Sequence, residues 1–139
     1  MRIPLAFEIL LCLCLTISPV ASAQEDLLKE SPARYSIRID MDKAYVGGIC
    51  IIRADDHLLT ASVVNEFGVS IVTFRYDQKK EKVKIVNCIK QLNRPIVKRV
   101  LKRDFKIILN EYLTQLESQR LPIKYDNHKN NITYNLIPL

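Results

Sequence analysis

From Tyr35 onward the chain alternates apolar and polar residues with a period of two. Tyr35, Ile37, Ile39 and Met41 are separated by Ser36, Arg38 and Asp40. Successive side chains in a strand point to opposite faces, so this pattern predicts a strand with one buried face. Ile49 to Arg53 predicts a second short strand, and Gly47-Gly48 before it permits a tight bend or a close approach of two backbones. Leu58 to Val64, Val69 to Tyr76 and Val83 to Leu92 predict three more. Val72, Phe74 and Tyr76 share one face of the fourth strand, and Val83, Ile85 and Ile89 share one face of the fifth. The connections are Asp55-Asp56, Phe67-Gly68 and the charged run Asp77 to Glu81. Such short turns make antiparallel pairing the simplest arrangement.

At Pro95 the apolar period lengthens to about 3.6. Val97, Leu101, Phe105, Ile108, Tyr112 and Leu116 recur at steps of three or four, one stripe along a helix. Asn93 is placed to cap it, with Pro95 in the first turn, where a missing N–H costs nothing. Lys98, Arg99, Lys102, Arg103 and Lys106 fill much of the remaining surface. Pro122 ends the helical pattern. Asp126 to Asn131 reads as a polar turn, and Ile132, Tyr134 and Leu136 alternate with Thr133 and Asn135 in a final strand. The expected fold class is α+β: a curved antiparallel sheet packed on one long amphipathic helix. Burial of that stripe, at roughly 1.5–3 kcal/mol per large side chain, would be a main source of stability.

The first 23 residues follow a different pattern. Arg2 gives a basic start, Ile9 to Leu15 an apolar core, Pro19 a break, and Ala21-Ser22-Ala23 a small-residue cleavage site. This is the layout of a secretory signal peptide, although Glu8 is unusual before the apolar core. The core is too short for a permanent bilayer span. The alternative is an uncleaved helix held at the membrane. The expectation is export, to the periplasm or beyond, with cleavage near Ala23. Residues 24–34 would be a flexible lead-in and 35–139 a single domain.

The chain has 21 Lys+Arg and 15 Asp+Glu, a net charge of +6, and a leader carrying only Arg2 and Glu8 would take none of that excess with it. A basic surface favours anionic membranes or acidic partners, or simply keeps the chain soluble. Nothing in the pattern resembles a nucleic-acid module. Of the four cysteines, Cys12 and Cys14 lie in the leader, and Leu11 and Leu13 stand where a lipid-attachment site needs a small residue. Cys50 and Cys88 fall in strands separated by two others. At about 4.8 Å per strand they are too far apart to bridge in a meander, so two free thiols are expected over a disulfide.

No catalytic signature is present: no nucleophile elbow, no phosphate loop, no zinc-binding helix. Two Cys and two isolated His (His57, His128) offer no metal set, and no cofactor is expected. Asp55, Asp56 and His57 are adjacent, but turn formation accounts for the aspartates. In Asn65-Glu66-Phe67-Gly68 the glycine suits a positive backbone angle, Asn65 or Glu66 can bond to the turn, and Glu66 is open to a functional role. Asn131-Ile132-Thr133 matches a glycosylation acceptor, relevant only in a eukaryotic secretory route.

Gly48-Ile49-Cys50-Ile51-Ile52-Arg53, Asn65-Glu66-Phe67-Gly68, Val72 to Tyr76 and Leu101 to Leu109 together resemble a group of Bacteroidetes envelope proteins with a periplasmic lipoprotein-carrier (LolA/LolB-like) fold. The likeness spans Gly47 to Leu109, about half of the mature chain. It implies an open, curved half-barrel whose concave face, covered by helix, holds an apolar ligand. Ile49, Ile51, Val72, Phe74, Ile85, Leu101, Phe105 and Ile108 would then line the site, and the ligand would be a lipid or a lipoprotein acyl chain. Set beside the carriers, the chain is expected to be a truncated member or a small relative without several of their later strands, and it carries no lipid-attachment Cys. On this reading it is a non-enzymatic envelope protein making peripheral contact with a membrane. The alternative is an assembly or scaffold protein that binds an envelope partner through a sheet edge or the basic helix face.

Overall fold

A computed structural model describes residues 32–115 and 119–139. The leader, its two cysteines and Leu116 of the helical stripe lie outside the described residues. Seven strands form one antiparallel sheet in the order β5-β4-β3-β2-β1-β7-β6. They are β1 (Ala33–Asp40), β2 (Tyr45–Asp55), β3 (Leu58–Val64), β4 (Ser70–Asp77), β5 (Lys82–Cys88), β6 (Ile123–Asn127) and β7 (Ile132–Pro138). Among the described residues one α-helix, α1 (Pro95–Thr114), joins β5 to β6 and packs against β4, β5 and β6. Because α1 touches both edge strands, the sheet curls around it as a half-barrel. The fold is α+β, a curved antiparallel sheet on one helix. No helix among the described residues is long and apolar enough to cross a membrane.

The first five strands form the meander that short turns predict. β1 buries Ala33, Tyr35, Ile37 and Ile39, so the sheet begins two residues before the expected domain start. The hairpin between β2 and β3 turns on Asp56, whose φ of 54° is a left-handed value that aspartate tolerates better than most residues. The next turn is held by Asn65, whose Oδ1 accepts the N–H groups of Phe67 and Val69, both at 2.9 Å. Gly68 there has φ 79°.

Four expectations need correction. Gly47-Gly48 does not bend the chain: both residues lie inside β2, paired with Arg38 and Ile37. What Gly48 permits is the close approach, because a β carbon there would collide with the Val64 carbonyl. The fifth strand stops at Cys88 rather than Leu92. A bulge opposite Thr73/Phe74 shifts its register, and Ile89 starts a 3₁₀ turn over Lys90–Leu92. The helix is capped at Arg94, not Asn93: a residue before proline is pushed to extended backbone, here φ −125°, ψ 138°. Asn93 instead accepts a hydrogen bond from Lys98 Nζ at 3.2 Å. Finally, β6 is a full strand where only a break and a turn are expected. Ile123-Lys124-Tyr125-Asp126-Asn127 carries too little apolar alternation to announce itself, and it is held by pairing with β7.

The stripe on α1 is buried as predicted at Leu101, Phe105, Ile108 and Tyr112, with Val97 packed at its edge. Leu109 and Asp104 are buried with them. Three sheet tyrosines reach the helix through their hydroxyls. Tyr134 donates to Asp104 Oδ2 (2.6 Å), Tyr76 to Asn110 Oδ1 (2.7 Å), and Tyr35 to Gln115 Oε1 just beyond it (3.3 Å).

Candidate functional site

The concave face is filled by side chains. Phe74 on β4 and Phe105 on α1 stack at 4.0 Å between ring centroids, and Tyr134 meets Phe105 edge-on at 5.7 Å. Such contacts add about 0.5–1.5 kcal/mol each to the burial of the rings. Val72, Phe74, Leu101, Phe105 and Ile108 therefore come together, as packed core. Ile85, on edge strand β5, is half-buried against it.

Ile49 and Ile51 do not join them. Pairing of β2 with β1 and β3 turns Cys50 and Ile52 inward, which places Ile49 and Ile51 on the outer face. Ile49 is 41% exposed, and Ile51 lies with Arg53, Thr60 and Ser62 along a shallow outer groove. The expected single interior pocket is thus replaced by a packed core and two outward residues.

Open space lies instead at one end of the half-barrel, where the β1–β2, β3–β4 and β6–β7 turns meet the start of α1. One cleft there, of about 440 Å³, is lined mainly by apolar side chains: Met41, Ile96, Val97, Val100, Leu101 and Ile132. Asp42, Lys43, Ala44 and Asn130 complete its rim. The volume falls within the range of small-molecule pockets, and the lining has their usual character. Leu101 is the one predicted ligand residue that it includes. The others were legible only in part. Ile96 and Val100 each precede a stripe position and widen the apolar face of the helix, but Met41 arrives from the β1–β2 turn and Ile132 from β7, both far away in the chain.

A second cleft, of about 580 Å³, lies beside it and brings together Gly47-Gly48, Asn65 and Glu66, with Tyr45, Val46, Ile49 and Ile71. It exists because β3 pairs with β2 only as far as Ile49↔Val64, while β1 pairs with β2 up to Tyr45. Tyr45–Gly48 thus has one strand edge with no β3 partner. Arg38 lies over the Tyr45 ring at 4.3 Å and is held by Asp40 at 2.9 Å.

Elsewhere the chemistry is quiet. Cys50 on β2 and Cys88 on β5 are free thiols with two strands between them. Burial pushes the Cys50 thiol up to about 12, far from a reactive thiolate. His57 contacts Asp56 at 3.2 Å and Asp77 at 3.9 Å across two surface turns, outside both clefts. Among the described residues no three His, Cys, Asp or Glu side chains gather to hold a metal ion. Burial, then the Asp104 carboxylate, raises the pKa of Tyr134, so its hydroxyl stays a hydrogen-bond donor.

No family model, no curated protein and no solved structure matches this chain.

Proposed function

We propose that this protein is an exported, non-enzymatic binder of an acyl chain, akin to the envelope lipoprotein carriers that its sequence resembles. The ligand is a lipid or lipoprotein chain, seated in the cleft at the start of α1. One observation carries the reading: apolar side chains from the β1–β2 turn, α1 and β7 converge on open space there, while the rest of the concave face is packed. Each methylene placed in such a cleft contributes about 0.8 kcal/mol. Ile96 at the rim is 72% exposed and free to cover a bound chain.

Titration with a dansyl-labelled undecanoic acid tests this. The expected result is saturable fluorescence enhancement that is lost in Val100→Trp, which fills the cleft, and kept in Ile107→Trp on the exposed helix face. Absence of saturable binding, or equal binding by Val100→Trp, would overturn the reading.

A second reading, docking of an envelope partner as in a scaffold protein, is favoured by the vacant edge of Tyr45–Gly48. Strand residues alternate the direction of their N–H and C=O groups, so two of these four residues present unpaired groups to an incoming strand. Its test is a protein partner retained at moderate salt by the full chain and lost on Gly47→Pro.

A further inference from the structure

We infer that the outer face of the sheet carries an anion-binding site for a phosphoryl-bearing ligand, built on Arg53, Thr60 and Arg75 and extended by Lys84. The site is independent of the acyl-binding reading, because none of these residues lines either cleft.

Strand register sets the four residues in one row. Arg53 on β2 stands opposite Thr60 on β3, Thr60 opposite Arg75 on β4, and Arg75 opposite Lys84 on β5. Ile52, Leu59, Ala61, Phe74 and Tyr76, which flank them in sequence, are buried, so the row points away from α1. The two arginines start roughly 10 Å apart, with one strand between them. Two such long side chains can meet over the Thr60 hydroxyl. The next row of the same face passes through Ile51, Ser62 and Thr73, and Thr73 Oγ1 lies 3.4 Å from Ser62 Oγ. A groove of about 300 Å³ lies between the rows, lined by Ile51, Arg53, Thr60 and Ser62.

Folding does not account for this row. Like charges directly opposite each other destabilise a sheet, and Arg75 faces Lys84. Among the described residues none of the three cations pairs with a carboxylate. Asp55 and Asp77 stand two residues further along the same face, but Asp77 Oδ1 accepts the N–H groups of Lys79 and Lys80 at 3.0 and 3.3 Å and lies 3.9 Å from His57. Protection of a sheet edge explains a lysine on β5, not arginines on the interior strands β2 and β4.

The donor set selects among anions. A carboxylate has two oxygens, and one guanidinium satisfies both. A terminal phosphoryl group has three, which two guanidinium forks and a hydroxyl can share. Lys84, one strand further, supplies a point charge for a second phosphoryl group. Free polyphosphate and phosphorylated sugars both carry such groups. Ile51 gives the groove an apolar surface that only the sugar has a ring to cover.

Calorimetric titration of the full chain with tripolyphosphate and with fructose bisphosphate tests the site, with citrate as the carboxylate of similar charge. The expected result is saturable binding of a phosphoryl probe that citrate does not displace. Arg53→Gln and Arg75→Gln should each weaken it by about tenfold or more. Lys102→Gln, which removes the same charge from α1, should leave it unchanged. Arg75→Gln relieves a like-charge pair, so it should melt no lower than the unaltered chain, which separates lost binding from lost folding. Tighter binding of fructose bisphosphate, reduced by Ile51→Ser, would support a phosphorylated sugar as the source; tighter binding of tripolyphosphate would support a free polyphosphate. No saturable binding of either probe, displacement by citrate, or an equal loss in Lys102→Gln would overturn the inference.

Discussion

Tyr134 on β7 donates its hydroxyl to Asp104 on α1 at 2.6 Å, and the carboxylate that accepts it is fully buried. Asn127 Nδ2 lies 3.0 Å from each oxygen of the same carboxylate. The helix and the β6–β7 hairpin are thus joined by one buried acceptor and two donors, and no cation among the described residues pairs with it. A buried charge held only by neutral donors costs much to desolvate, and losing a donor exposes that cost. Asp104→Ala should destabilise the protein by about 2–4 kcal/mol and Tyr134→Phe by about 1–3 kcal/mol, with the double variant losing less than the sum. Urea unfolding of the four proteins measures this, and additivity would contradict the coupling.

The facing of β2 gives a contrast between neighbours. Ile52→Ala removes a buried side chain and should cost about 2–5 kcal/mol. Ile49→Ala, on the outer face, should cost less than about 1 kcal/mol. Equal losses would mean that the register has been read with the wrong face inward.

The two adjacent glycines should behave oppositely. Gly48→Ala drives a β carbon into the Val64 carbonyl, and moving backbone in a sheet costs about 1–3 kcal/mol. At Gly47 the nearest atom to an added β carbon is in the Tyr45 ring at 3.9 Å, so Gly47→Ala should be tolerated. Thermal unfolding of both variants checks the pair.

Alkaline pH should unfold the protein earlier than its surface charge would suggest. Cys50 ionises near 9.0 when unfolded and near 12 when folded, because burial penalises the thiolate. Tyr134 is raised above its ordinary 10.0 by burial and by Asp104. Above pH 9 the unfolded chain releases protons that the folded chain keeps, so stability is full below that pH and falls as pH rises toward 12. The slope is at most about 1.4 kcal/mol per pH unit for each group. Chemical denaturation at pH 8 and at higher pH should show the decline, and Cys50→Ala should flatten its first part.

The contrast between Phe74 and Ile49 marks where sequence reasoning ran out. Phe74 lies in a strand whose apolar residues, Val72, Phe74 and Tyr76, keep strict alternation, so its inward face was legible. β2 reads Ile49-Cys50-Ile51-Ile52, apolar on both phases, and either face could be the inner one. Asp104 was hidden differently. It stands three residues after Leu101 and four before Ile108, squarely on the stripe, yet an acid there signals burial only once Tyr134 and Asn127 are known to meet it.

The sequence by itself determined the elements with strong local signals. These are the period-two strands, the 3.6-period helix opened by Pro95, the turns at Asp56 and Gly68, and hence an α+β fold of antiparallel type. Periodicity and turn chemistry belong to a few consecutive residues, so they can be read without neighbours. Tertiary structure alone decided which face of β2 is buried, that Ile123–Asn127 pairs as an edge strand, and that the expected cavity is packed by Phe74 and Phe105. It also decided where the clefts lie, because each is assembled from segments far apart in the chain. Those outcomes depend on pairing register and on which distant side chains fill a volume, and neither is encoded in the spacing of one segment.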